Sequence, residues 1–183
     1  GDANPKGDVP IYLAALGPRM LQLAGAIADG VLLSWTAASY LEQAIQHVRD
    51  GSTRAGRDPF EVAISGYLRV AVTDDLEAGR ASLQREIARY SNGFHYQSFF
   101  RNTGFEAEMI GVQSGRDHAY NTATAAAIGD KMQSELGVVG PPEVCRARIE
   151  QLREMGLAKP VIAPLTVGDM KESYERTIQA LAP

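Results

Sequence analysis

The chain has 183 residues, 45% of them hydrophobic, and a net charge of −4 from 18 basic and 22 acidic residues. Such a length accommodates one domain with a sizeable core, and an acidic balance without any basic run argues against a nucleic-acid surface. No apolar stretch approaches the ~20 residues of a membrane span. The single cysteine, Cys145, excludes an internal disulfide framework and fits a reducing, cytoplasmic setting.

Gly1 to Asp8 reads as a polar linker that leads straight into an apolar run, which suggests that something precedes it. The first strand is predicted over Pro10–Ala15. It ends in Leu16-Gly17-Pro18-Arg19, a tight turn into a helix with proline at the first helical position, where its missing N–H costs nothing. Met20, Leu21, Leu23, Ala24 and Ile27 give that helix an apolar face before Asp29-Gly30 stops it. A second strand is predicted over Val31–Ser34. Ser39 with Glu42 then has the spacing of a capping box, and Leu41, Ala44, Ile45 and Val48 form the core face of the helix it opens.

The third strand is predicted over Val62–Val72, and Asp74 with Glu77 opens the helix behind it, with Leu76, Leu83, Ile87 and Tyr90 on one stripe. Residues 91–137 are too long for an ordinary loop and read as a helical insertion. They hold Phe94-His95-Tyr96, Phe99-Phe100 and an alanine-rich helix around Ala123–Ile128. Pro141-Pro142-Glu143 opens a further helix carrying Cys145, Ile149 and Leu152. The last strand is predicted over Pro160–Leu165, before a helix with the stripe Met170, Tyr174, Ile178, Leu181. Four βα units with strands apolar on successive residues point to an α/β fold with a parallel sheet.

The segments PIYLAALGPRMLQLAGAIADG (10–30), VLLSW (31–35), STRAGRD (52–58), VVGPPEV (138–144) and PVIAP (160–164) resemble the C-terminal half of the luciferase-like monooxygenase family. The branch is the one that uses the deazaflavin coenzyme F420, similar to the methylenetetrahydromethanopterin reductases. The resemblance implies half of a (β/α)₈ TIM barrel, with domain limits 9–183 and the insertion at about 91–137. It implies an oxidoreductase moving a hydride between reduced F420, or alternatively FMN, and a small organic substrate. In relatives the acidic and histidine residues proposed for chemistry come mostly from the first half, so no catalytic residue carries over. The corner Ala14, Ala15, Leu16, Gly17, Pro18 and Arg19 does carry over, as contacts to the cofactor tail and its phosphate. Free N–H groups at a helix start suit a phosphate.

Other residues keep two readings. Gly17 either contacts a cofactor or merely ends a strand, and Arg19 either reaches a phosphate or is simply solvated. Ser34 and Trp35 fall at a strand's carboxyl end, the catalytic face of a barrel, although Trp35 also suits a core cap. Phe94 and His95 line a substrate pocket or simply pack, with proton donation a further reading for His95. Gly66 and Tyr67 mark a ligand's approach or tight barrel packing. His47 and His118 lack carboxylates at metal spacing, so no metal is expected. Arg146, Arg148 and Arg153 sit among glutamates on a solvated helix face.

No Ser-His-Asp set, Walker loop or G-x-G-x-x-G occurs. A half-length parallel sheet leaves unpaired edges, so the chain is expected to be a homo-oligomer or to lack a front half-barrel. The alternatives to the enzyme are a non-catalytic, cofactor-binding or self-associating half-barrel protein, and a different barrel enzyme that holds a sugar phosphate at the same turn.

Overall fold

All four predicted strands form and pair in parallel in the computed structural model, which describes residues 9–114 and 125–182. They are β1 (Tyr12–Ala15), β2 (Gly30–Leu33), β3 (Ala63–Val72) and, last in the chain, β5 (Lys159–Pro164). A short fifth strand, β4 (Gly137–Gly140), closes the insertion and was not expected as a strand. β3 is ten residues long and organises the sheet. Ser65 and Gly66 are shared by β2 and β5, and Arg69 and Val70 by β4 and β5. A strand has two edges, so β5 occupies one alone while β2 and β4 follow each other along the other. The continuous path β1-β2-β3-β5 is in chain order, as successive βα units of a barrel require.

The helices are α1 (Pro18–Ile27), α2 (Ala38–Arg54), α3 (Leu76–Ser91), α4 (Phe94–Asn102), α5 (Glu106–Ser114), α6 (Asp130–Leu136), α7 (Pro142–Glu154) and α8 (Met170–Leu181). Alternate residues of β3, Ile64, Leu68, Val70 and Val72, face the helix layer with Val31 and Leu33. There they meet Leu21 and Ala24 of α1, Leu41 and Val48 of α2, and Cys145, Ile149 and Leu152 of α7, the stripes read from the sequence. A second core belongs to the insertion. Phe99, Phe100, Phe105, Met109, Ile128 and Met132 pack with Leu83 and Ile87 of α3 and with Trp35 just beyond β2. This cluster caps the carboxyl end of the sheet. The predicted helix around Ala123–Ile128 lies partly outside the described residues, as do Gly1–Asp8 and His118.

Close helix packing explains the turn motif after α2. A side-chain carbon at Gly25 would sit 2.0 Å from the Val48 carbonyl oxygen, and one at Gly51 2.0 Å from that of Gln22. Two glycines thus let α1 and α2 cross backbone to backbone. Ser52 Oγ donates to the Gly25 carbonyl at 3.0 Å, and Arg57 donates to the carbonyls of Gly25 and Ala28, both at 2.8 Å. The Arg57 cation therefore satisfies the carbonyl-rich end of α1. Gly66 is likewise a packing glycine, because a side-chain carbon there would meet Thr36 Oγ1 at 2.3 Å.

Several local expectations change. The Ser39–Glu42 capping box does not form. Ala37 is the N-cap of α2, and the Ser39 N–H donates instead to Glu135 Oε2 of α6 at 2.7 Å, a partner 96 residues away. At α3 the cap is Asp75 rather than Asp74, and its carboxylate accepts from the Ala78 N–H at 3.0 Å. Cys145 is fully buried, its thiol directed at the Gly140 carbonyl 3.3 Å away. Burial, helped by Glu143, pushes that thiol up to about 11, so it stays protonated and inert at neutral pH.

Two apolar stripes read from the sequence are buried only in part, with Leu21 and Ala24 of α1 and Leu181 of α8 at the core. On α8 the small and polar residues Ser173, Thr177 and Ala180 are buried, while Met170, Tyr174 and Ile178 are exposed. On α1 the side turned to α2 is buried, while Met20, Leu23 and Ile27 are exposed. These helices flank β1 and β5, the outer strands of the sheet. Its concave face is only partly covered as well, leaving Ala14 and Tyr67 exposed and Leu32, Val161 and Ala163 half-buried. At its lower end the Tyr12 ring lies over Gly30, and Lys159 of β5 donates to the Tyr12 hydroxyl at 2.7 Å.

Candidate functional site

A cleft of about 540 Å³ opens at the carboxyl ends of β1 and β2. One wall is the β1–α1 corner, from Ala14 through Leu16 and Gly17 to Pro18 and Met20. Ser34 forms the floor, and α4 supplies the opposite wall with Phe94, His95, Tyr96, Phe99 and Asn102. The fold brings together segments separated by about eighty residues because the insertion folds back over the sheet's carboxyl edge. Most of the lining is apolar or aromatic, and no lining residue is acidic.

The corner has the local features of an anion site. Gly17 is the N-cap of α1 in an extended conformation (φ −103°, ψ 166°), and no side chain caps the first turn. Pro18 occupies the first helical position, and Leu21 N–H takes the Gly17 carbonyl at 3.0 Å. The amides of Arg19 and Met20 lie in that uncapped first turn, whose partial positive charge favours an anion. A side-chain carbon at Gly17 would meet nothing within 4 Å, so the space above the turn is free. The first-turn amides thus open onto a cleft bounded by the small residues Ala14–Ala15 on one side and the aromatic wall of α4 on the other.

Of the residues singled out from the sequence, Ala14, Ala15, Leu16, Gly17, Pro18, Ser34, Phe94 and His95 all line the cleft. Arg19 does not line it and projects into solvent. Trp35 does not line it either. At 2% exposure it is a core residue, edge-to-face with Tyr90 (5.2 Å) and Phe100 (5.6 Å). Ser34 and Trp35 follow the end of β2 in a bend, where Ser34 lines the cleft and Trp35 packs in the core. His47 has both ring nitrogens buried without a hydrogen-bond partner, and no metal-ligating cluster occurs among the described residues.

Sequence reasoning passed over Tyr40 and Arg69, and it singled out Tyr96 and Phe99 only as part of the aromatic stretch Phe94–Phe100. The helical period alone relates His95, Phe99 and Asn102 as one face of α4, so part of this wall was available from spacing. Tyr96 Oη is 3.2 Å from Ser34 Oγ, tying the insertion to the end of β2. Arg69 of β3 is 4% exposed, donates to the Ser34 carbonyl oxygen, and lies over the Trp35 ring at 3.9 Å and near that of Tyr90 at 5.1 Å. Burial lowers its guanidinium from the ordinary arginine value, and Tyr90, Glu86 and Tyr96 oppose that shift. No ion pair among the described residues involves Arg69.

The model of a known family, described as luciferase-like monooxygenase, matches residues 2–159. This chain belongs to that family. A 5,10-methylenetetrahydromethanopterin reductase of Methanolobus tindarius is 30% identical over 175 residues, covering 94% of this chain and 53% of the relative. Among solved structures, the coenzyme F420 dependent tetrahydromethanopterin reductase of Methanopyrus kandleri superposes with a TM-score of 0.76 at 22% identity, covering 96% of this chain and 50% of the other. An F420-dependent secondary alcohol dehydrogenase in complex with an F420-acetone adduct superposes with a TM-score of 0.64 at 18% identity, covering 97% and 49%. The luciferase-like chain thus spans about half the length of the curated relatives it matches. Its parallel sheet and flanking helices have the fold of the family's TIM-barrel members.

Proposed function

We propose that this chain is the cofactor-tail half of an oxidoreductase that moves a hydride between reduced F420 and a small organic substrate, with FMN as the alternative cofactor. The observation that carries the reading is the uncapped, unobstructed first turn of α1 opening onto an apolar cleft at the sheet's carboxyl end. When bound, the cofactor supplies the hydride chemistry. Ala14, Ala15 and Leu16 form the surface on which its ring rests. Gly17, Pro18 and the first turn of α1 hold the tail phosphate through backbone amides, with Arg19 adding charge at longer range. Phe94 and His95 close the substrate side, and Ser34 offers a hydroxyl at the floor. Trp35 supports this site from the core rather than touching ligand. The names of the relatives, all about twice as long, support the cofactor class.

Oxidised F420 titrated with the purified chain should lose fluorescence saturably, and FMN should compete for the same sites. Absence of any saturable signal with either cofactor would overturn the reading.

A second reading, favoured by the exposed stripes, is that the chain works as a half-barrel that must associate. Ile27 (67% exposed) and Ile178 (62%) stand at the two lateral edges, beside half-buried apolar residues of the concave face. Four further βα units, from a front half or from a second copy, would cover both edges at once. Light scattering should therefore show self-association of the isolated chain. The double variant I27E/I178E should shift it to monomer without loss of helical signal. A wild-type chain that stays monomeric at high concentration would contradict this.

A further inference from the structure

We infer that the Tyr96 hydroxyl, set by Ser34 Oγ and backed by the buried Arg69 guanidinium, is the polar anchor that the cleft presents to an electron-rich oxygen of its ligand. This deepens the reading of the cleft as a ligand site but does not depend on which cofactor binds there.

The argument begins with charge. Arg69 carries a full positive charge at 4% exposure, and no carboxylate pairs with it among the described residues. A buried cation without an ion pair is costly, and the rings on its face, the Tyr90 hydroxyl and the field of Glu86 offset only part of that cost. One of its N–H groups goes to the Ser34 carbonyl, which draws electron density from the peptide at the cleft floor. Trp35, against whose ring the guanidinium lies, has its indole N–H buried with no partner. The end of β2 is therefore surplus in donors and positive charge.

The geometry then says where that surplus is felt. Tyr96 lines the cleft from α4, and its hydroxyl oxygen is 3.2 Å from Ser34 Oγ. Either hydroxyl can donate across this contact, and in the arrangement with Ser34 donating the phenol proton is left to point into the cleft. No acidic side chain lines the cleft to compete for it. The shared ligand chemistry is a carbonyl or carboxylate-type oxygen on a flat, apolar framework. Such an oxygen belongs either to the cofactor ring or to the substrate. Tyr96 would bind it directly, and Arg69 acts through Ser34 and Tyr96 as a positioning residue.

Two probes separate these cases on the purified chain. Oxidised F420 carries ring carbonyls, and benzoate is a flat carboxylate without a tail, with benzamide as its uncharged isostere. Loss of a hydrogen bond of this kind is expected to weaken binding by about tenfold. Y96F should produce that loss for F420 if the ring oxygen is the partner, or for benzoate if a substrate oxygen is. R69K, which keeps a positive charge but not the planar fork, should weaken the same probe, and benzoate more than benzamide. Unchanged helical signal and melting temperature in Y96F show that the fold is intact. Unaltered affinity of Y96F for both probes overturns the inference, as does a wild-type chain that binds neither. Benzoate binding that is sensitive to Y96F, in a chain that ignores F420 and FMN, supports the anchor while removing the cofactor reading.

Discussion

Replacing Gly25 with alanine is expected to destabilise the chain by about 3 kcal/mol, at the upper end of what overpacking costs. The new methyl carbon would sit 2.0 Å from the Val48 carbonyl oxygen and 2.9 Å from the Ser52 amide nitrogen. Both are backbone atoms of α2, so no side chain can swing away to relieve the contact. Relief requires α1 and α2 to move apart, which would also stretch the hydrogen bonds from Ser52 and Arg57 to the α1 terminus. Because α1 starts at the corner that lines the cleft, the displacement reaches the cleft. Urea denaturation of G25A against wild type checks the figure. A loss under about 1 kcal/mol would show that the two helices are not in backbone contact.

Trp35→Ala is the second large effect, expected at about 4 kcal/mol, in the range for emptying a large aromatic site in a core. Trp35 joins the floor of the sheet to the insertion through Tyr90 and Phe100, and it forms one face of the cage around Arg69. Its removal both opens a cavity and strips a ring from a buried cation. A pocket-wall tryptophan would behave differently, weakening ligand binding while leaving stability almost unchanged. Thermal melting read beside F420 affinity separates the two. Near-normal stability in W35A would restore Trp35 to the ligand site.

The parallel sheet and the β1–α1 corner were legible in the sequence because both are local. Continuous apolar runs mark strands covered by helices, and Gly17-Pro18 marks the helix start wherever the rest of the chain goes. The capping box at Ser39 failed for the opposite reason. A side chain 96 residues away, Glu135, takes the amide that the local motif would have satisfied. β4 was missed because four residues, two of them glycine, are too few to show a pattern, and its pairing is set by β3.

The α8 stripe shows a deeper limit. Periodicity reports which face of a helix is apolar but not what that face meets. Here the small residues Ser173, Thr177 and Ala180 are buried, and the large ones Met170, Tyr174 and Ile178 are exposed. Trp35 and Ser34 likewise share a place in the chain but not an environment, because the bend after β2 sends one into the core and the other to the cleft. Arg69 was hidden in an otherwise apolar strand, where a lone charge reads as an exception until its aromatic surroundings are known.

The claim that the first βα corner grips a phosphate is tested most directly by F420 affinity in wild type and G17D. An aspartate at this N-cap has open space and can bond the first-turn amides itself, so it should leave the fold as stable or slightly more so. It should also repel the tail phosphate and weaken F420 binding about tenfold or more. A G17D chain that keeps its stability and binds F420 as tightly as wild type would place the phosphate elsewhere and contradict the account.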